Sequence, residues 1–559
     1  MKEEKKSKAE KFFSTSSGIE LKHVYTPEDV KGVNYDRDIG LPGEYPYTRG
    51  PYPEMYRTFP WMIRQLFGFQ GGAETVKRQK ELLASGGQVG YGGEPVASIA
   101  PDTVSHWGFD ADNPMVKYQV GVTGTSLNSI EDFKELIGDF PVDKGFYNLA
   151  FQGVASYVLF CMYVAAAEEM GFSQSKLRGS AAADPIGSRL GFRVEVFPVE
   201  AELKLSGDVL EHCIHHMPRW NAISVGGFNI RGNGLNTVEE LALTLAAAVT
   251  YIENGLERGL NVDKCAQSIT FFMASSMDFL EEVAKLRAAR RLWAKILHEK
   301  FGVRDTKAMK FRVYSQTWTC DYTSQQPYIN IVRGTVQALA AALGGCQAMF
   351  VTPYDEAWAL PTIEAVMMAI RTQQILIEES GITKTGDPMG GSYCIEYLTN
   401  EIEDRVKAYL DNIRALGTDG SMKSGMLSGL KNGYLMSDMD KKGAKRESAI
   451  NSGESVVVGR NKFVAQENSP PPIFKIDPEY QQKRIDEVKK FKASRDMKKV
   501  KNALNQLRKA SENNENLMPH LIEAAKDRVT LEESTCVLRD VFGVSEMWIG
   551  RNLQSMNKE

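Results

Sequence analysis

From about Tyr45 to Leu398 short apolar runs alternate with longer stretches in which apolar positions recur every three or four residues. That is the pattern of strands followed by helices. The clearest predicted strands are Phe146 to Phe151, Ala222 to Gly226, Ser268 to Ala274, Lys310 to Gln316 and Ala348 to Pro353. Single helical segments separate the last four, which is the repeat of a parallel β/α sheet. One helix is predicted to start with a capping box at Thr237-Val-Glu-Glu240, run through Leu241, Leu245, Ala248 and Ile252, and end at Gly255. Another is predicted over Val283 to Leu297, with Leu286, Ala289, Trp293 and Ile296 on one stripe. Roughly 350 residues of uninterrupted alternation favour an eight-stranded (β/α)8 TIM barrel over a doubly wound sheet. No G-x-G-x-x-G follows a strand, which further lowers the nucleotide-binding alternative. The longest apolar run, Ala155 to Ala167, is too short to span a bilayer and reads as a buried helix with Gly171 at its C-cap.

The pattern divides the chain into an N-terminal arm (1–44), the barrel (45–411) and a C-terminal linker and helical tail (412–559). The first eighteen residues are charged, lack the apolar run of a secretory signal and read as a flexible tail. Ala415 to Gly453 is rich in Gly, Ser, Lys and Asp, and Ser469-Pro-Pro-Pro472 punctuates the chain beyond it, so this part reads as linker with short helices. Pro478 to Ala510 is a charged helical segment that would meet a neighbour through Ile485, Val488 and Phe491, and a helix pair from Asn516 to Phe542 comes after it.

Composition changes this picture little. At 559 residues the chain exceeds what one core usually supports. Its net charge of -4 and its dispersed Lys and Arg give no reason to expect nucleic acid or a membrane surface. Seven widely spaced cysteines without a C-x-x-C pair argue against a disulfide framework and a zinc site, and fit a reducing cytoplasm.

Candidate chemistry concentrates in Ala348 to Thr362, AMFVTPYDEAWALPT. Here Asp355 and Glu356 sit where a buried strand hands over to a helix, and such loops form the working face of β/α folds. The competing reading is that Asp355 caps the helix and Glu356 is solvated. His215-His216 looks metal-like, but adjacent helical residues point about 100° apart, so structural roles are expected and no metal.

The segments YPYTRGPYPEMY (Tyr45 to Tyr56), PWMIRQ (Pro60 to Gln65), GFDADNP (Gly108 to Pro114), AKLRAARRLWAK (Ala284 to Lys295), YSQT (Tyr314 to Thr317), YDEAWALPT (Tyr354 to Thr362), ESGI (Glu379 to Ile382) and DPMGGSY (Asp387 to Tyr393) resemble the large subunit of the methylmalonyl-CoA mutase family and its acyl-CoA mutase relatives. The likeness runs from about Tyr45 to Phe542. It implies a (β/α)8 barrel threaded by the pantetheine arm of coenzyme A, with adenosylcobalamin on the carboxyl face of the strands supplying the radical chemistry of a 1,2-rearrangement.

Carried over by position, the resemblance implies that Glu356 and Ala357 contact the adenosyl group and that Gln316 lies beside the corrin, with Gln316, Glu356 and Asn229 as catalytic positions. Tyr52, Pro53, Glu54, Met55, Arg64, Ser98, Arg219 and Gln347 would follow the coenzyme A arm. Leu66, Ser180, Ala182, Phe192, Asn229, Ser268 and Thr270 complete the substrate set. For Arg64 the bland alternative is a surface ion pair worth under about 1 kcal/mol. No D-x-H-x-x-G cobalamin motif occurs, so the cofactor is expected to be held mainly by a separate small subunit in a hetero-oligomer.

Departures from the family pattern bear on the substrate. Leu66 replaces a tyrosine and Ala182 a glutamine. Phe192 falls on the arginine that holds the substrate's free carboxylate, Asn229 on the histidine near the thioester carbonyl, and Ser268 on an arginine on the phosphate side. The expectation is a mutase of a branched acyl-CoA without a free carboxylate, because an unpaired buried charge costs several kcal/mol. If the Phe192 segment is a strand, Arg193 faces away from the pocket. The alternatives are methylmalonyl-CoA mutase proper, and a barrel that no longer catalyses and serves as a structural subunit.

Overall fold

A computed structural model describes residues 13–65, 68, 70–90, 93–138, 140, 142–465 and 478–545. Leu66 and Ser469 to Pro472 lie outside these. The chain forms two compact units, each discontinuous in sequence: one of 1–62, 227–249 and 271–473, the other of 63–226, 250–270 and 474–559. Both are built from parallel strands and helices, the α/β class expected from the alternation.

In the second unit the strands Val96–Ile99, Phe146–Leu149, Gly179–Ala181 and Trp220–Asn221 pair in that order, all parallel. The apolar helix Val158–Glu169 is buried along most of its length, as expected of a run too short to cross a bilayer. It ends where Gly171 adopts φ 88°, a left-handed turn that glycine takes without strain. Among the described residues no helix is long and apolar enough to cross a membrane. The charged segment after Pro478 forms two helices, Pro478–Ala493 and Met497–Glu512. Val488 of the first is buried with Val104, Phe109, Ala111 and Val120, so this part of the tail is built into the unit's core.

In the first unit Val313–Thr317 pairs in parallel with Ile269–Ser275, from Phe271 onward, and with Ala348–Phe350. Alternation sorts the two faces. Phe271 meets Trp293 of the helix Phe279–Lys295, with ring centroids 5.1 Å apart, whereas Phe272, Ala274, Tyr314 and Gln316 take the opposite face. There Phe228, Phe272 and Tyr314 stack in series at 4.8 and 4.7 Å.

One reading of local sequence is corrected, and two are filled in. The helix Thr237–Glu257 is capped one residue earlier than expected, with Asn236 and Glu239 exchanging backbone-to-side-chain hydrogen bonds of 3.0 Å. Glu240 is instead buried and pairs with Arg231 (2.8 Å) and Lys285 (2.7 Å). Next, the helix Phe279–Lys295 has no solvated face, because Tyr393–Arg414 packs against it. Its arginines are buried: Arg287 binds Asp387 and Glu396, Arg290 donates to the carbonyls of Thr48 (2.9 Å) and Gly344 (2.7 Å), and Arg291 binds Glu403. Last, the segment after Ala415 holds the helices Met422–Lys431 and Tyr434–Asn451. Arg446 of the latter pairs with Asp321 at 3.2 Å, and its guanidinium lies 4.6 Å from the ring of Trp318, which Arg231 also approaches at 4.9 Å. A Cβ on Gly234, whose φ is +90°, would come within 2.6 Å of the Cα of Gly443.

Candidate active site

At the carboxyl end of Ala348–Phe350 the chain cannot stay in the ladder, because Pro353 has no N–H to give. Thr352 turns it aside: its N–H donates to Thr317 Oγ1 (2.7 Å) and its hydroxyl to the Thr317 carbonyl (2.8 Å). Tyr322 Oη donates to the Thr352 carbonyl at 3.0 Å. The loop then presents Asp355 and Glu356. Asp355 is buried, and its Oδ2 accepts from Thr362 N–H (2.9 Å) and Oγ1 (2.7 Å). Thr362 is the N-cap of Ile363–Glu378. Asp355 therefore braces a capping residue, close to the bland reading of that side chain. Glu356 is not solvated in the ordinary sense: desolvation first, and the Asp355 carboxylate second, push its pKa up to about 7. Ala357 beside it is exposed.

Gln316 lies one strand over, 3% exposed. Its Nε2 reaches Thr352 Oγ1 only at 3.5 Å, and among the described residues its Oε1 has no partner. A buried acceptor left open costs about 1–3 kcal/mol unless something else fills it. Asn229, in the short helix Gly227–Arg231, is half-buried.

The amino end of the same strand carries another group. Gln347 bridges backbone, accepting from Val313 N–H (2.9 Å) and donating to the Gly345 carbonyl (2.8 Å). Met55 is buried, 3.2 Å from a Cβ built on Gly345. Tyr52, Pro53 and Glu54 are exposed, and Lys310 Nζ stands 4.8 Å over the Tyr52 ring. Gln347 and Glu356 thus sit at opposite ends of one strand.

The other unit, taken by itself, holds a row that strand register makes visible. Ser98 pairs with Asn148, Asn148 with Ser180 and Ser180 with Asn221, so four small polar residues share one level of the sheet. Ser180 Oγ donates to Asn148 Oδ1 at 2.9 Å, and among the described residues the buried Ser98 Oγ has no partner. Asn148 and Asn221 escaped the sequence reading; the signal was a polar residue at the same depth of successive apolar strands. Arg64 is no surface cation: it is 7% exposed, with its guanidinium 4.9 Å from the Phe146 ring. Ser268 closes the helix Val262–Gln267 and donates to the Lys264 carbonyl (2.9 Å), Thr270 is half-buried and Arg219 is exposed. Ala182 is buried just past Gly179–Ala181, while Phe192, at 47% exposure, ends a single wide helical turn, Ser188–Phe192. That turn overturns the strand argument about Arg193, whose backbone is left-handed with φ 57°.

Comparison with known proteins places this geometry. A profile of the family described as methylmalonyl-CoA mutase matches residues 14–544. The chain belongs to the methylmalonyl-CoA mutase family. A probable mitochondrial methylmalonyl-CoA mutase of Caenorhabditis elegans is 36% identical over 95% of this chain and 69% of its own length. The human mitochondrial methylmalonyl-CoA mutase is 34% identical over 95% of this chain and 68% of its own. The 2-hydroxyisobutanoyl-CoA mutase large subunit of Aquincola tertiaricarbonis is 35% identical over 95% of this chain and 92% of its own. Members of the methylmalonyl-CoA mutase family are coenzyme B12-dependent isomerases. The open acceptor of Gln316 and the desolvated Glu356 fit the polar edges of such a cofactor.

Proposed function

We propose that the chain is the large subunit of an adenosylcobalamin-dependent acyl-CoA mutase acting on a branched acyl-CoA without a free carboxylate, together with a small cobalamin-binding subunit carrying D-x-H-x-x-G. When bound, the cofactor supplies a carbon radical by homolysis. Gln316, Glu356 and Ala357 would hold it, and Asn229 would stand near the thioester. Tyr52, Pro53, Glu54, Met55, Arg64, Ser98, Arg219 and Gln347 would follow the coenzyme A arm, with Leu66, Ser180, Ala182, Phe192, Ser268 and Thr270 around the rest of the substrate. Likeness over nearly the whole of a chain named as a large subunit supports the two-subunit reading. Seven free cysteines fit a reducing cytoplasm.

The observation that carries the substrate assignment is Phe192, a half-exposed phenyl ring where the family holds a carboxylate with arginine. The buried guanidinium on the same turn, Arg189, is committed to Glu195 (2.7 Å) and Glu202 (2.8 Å). An unpaired carboxylate there would lose about 3 kcal/mol, more than a hundredfold in binding. Initial rates for methylmalonyl-, isobutyryl- and longer-branched acyl-CoA in the reconstituted complex test this. Faster turnover of the carboxylate-free thioesters is expected; preference for methylmalonyl-CoA would sink the assignment and leave Arg193 as the carboxylate's partner.

A further inference from the structure

Two residues outside the assigned site stand at the carboxyl end of the four-stranded sheet. Gln152 lies three residues past the strand Phe146–Leu149 and is 8% exposed. Its Oε1 accepts from Ser188 Oγ at 2.7 Å, and Ser188 opens the turn that Phe192 ends. The backbone N–H of Gln152 lies 3.1 Å from His106 Nδ1. The Gln152 carbonyl lies 3.2 Å from the same Nδ1, so the Gln152 backbone holds that nitrogen in either neutral tautomer and Nε2 is left facing away from it. The His106 ring stacks on Phe192, with centroids 6.4 Å apart and planes 25° from parallel. Gly153 permits this crowding: its φ is +56°, and a Cβ there would lie 2.6 Å from Val194 Cγ1 and 2.8 Å from the His106 carbonyl.

Both side chains therefore have one end fixed by protein. Among the described residues Gln152 Nε2 and His106 Nε2 have no protein partner. Desolvation lowers the His106 pKa to about 4, so at neutral pH the ring offers a polar nitrogen and no charge. Beside Phe192 the protein thus presents neutral polar groups, suited to a neutral oxygen and not to a carboxylate.

We propose that Gln152 and His106 form the polar wall of the acyl pocket and select a branched acyl thioester whose branch carries a neutral hydrogen-bonding oxygen, such as a hydroxyl. This rests on the acyl-CoA mutase reading and narrows it. A plain hydrocarbon branch leaves the Gln152 amide and the imidazole Nε2 unsatisfied, whereas a hydroxyl, able to donate or accept, meets either.

Calorimetric binding of 2-hydroxyisobutyryl-, isobutyryl- and methylmalonyl-CoA to the full chain tests it. The hydroxylated thioester is expected to bind about tenfold more tightly than isobutyryl-CoA, and the ratio to fall to within about twofold in Gln152→Met, which keeps the side-chain length and removes the amide. Equal binding of those two by the natural chain, or an unchanged ratio in Gln152→Met, overturns the proposal while leaving the carboxylate-free mutase intact. Tightest binding of methylmalonyl-CoA overturns both. If circular dichroism shows Gln152→Met unfolded, the natural chain's ratio and that of His106→Phe decide.

Discussion

Glu356 is a carboxylate whose surroundings oppose its charge, and that has two measurable results. Its pKa lies near 7 against an ordinary 4.5, so folding favours the protonated form. Stability from this group is complete below about pH 4.5, declines as pH rises towards 7 and is lost above it, by up to about 3 kcal/mol. Glu356→Gln should therefore raise the thermal midpoint at pH 8 and leave it nearly unchanged at pH 5. The same gain at both pH values would show that charge is not the cause. If the group also serves the cofactor, Glu356→Ala should lower turnover while acyl-CoA binding stays nearly the same; unaltered turnover restores a purely structural role. Glu356 and Gln316 were legible because both sit in motifs at strand ends. Asn148 and Gln152 were not. A single amide inside or just past an apolar strand carries no signal of its own until register shows what stands beside it.

At the scale of elements, motifs that mark the family turn out to be joints. Asp387 of DPMGGSY binds Arg287 of AKLRAARRLWAK and, at 3.1 Å, Arg49 of YPYTRG. All three are well shielded from water, so removing the acid leaves two guanidinium groups short of a partner. Asp387→Ala is expected to cost about 3 kcal/mol and lower the urea midpoint clearly, whereas a surface pair would cost less than about 1. Denaturation followed by circular dichroism separates the two. The periodicity located this helix but hid its burial, since four charged residues in a row of turns look like a solvated face until their partners are known. The capping error has a similar origin: Asn236-x-x-Glu239 and Thr237-x-x-Glu240 both satisfy the pattern, and only the buried pairing of Glu240 with Arg231 and Lys285 chooses between them.

For the whole molecule, β/α alternation conveyed the fold class, while Gly- and Ser-rich composition misled about the tail. Its glycines serve closeness, not freedom: a Cβ on Gly425 would lie 2.2 Å from the Ile413 carbonyl oxygen. If cobalamin is held mainly by a small subunit, the isolated chain should bind it more weakly than micromolar and gain tight binding on adding that subunit. Micromolar or tighter binding by the chain alone in calorimetry would refute this. One contact bears on how the tail meets the turn after Gly227–Arg231. Where Gly234 and Gly443 cross there are no side chains to act as a cushion, and a Cβ on Gly443 would fall 2.5 Å from the Asn233 carbonyl oxygen. Two bare backbones touching at one place set a hard stop: the helix Tyr434–Asn451, held on one side by Arg446 on Asp321, cannot press closer. A side chain added at either glycine would wedge that helix away from the turn that follows Gly227–Arg231, the short helix bearing Asn229.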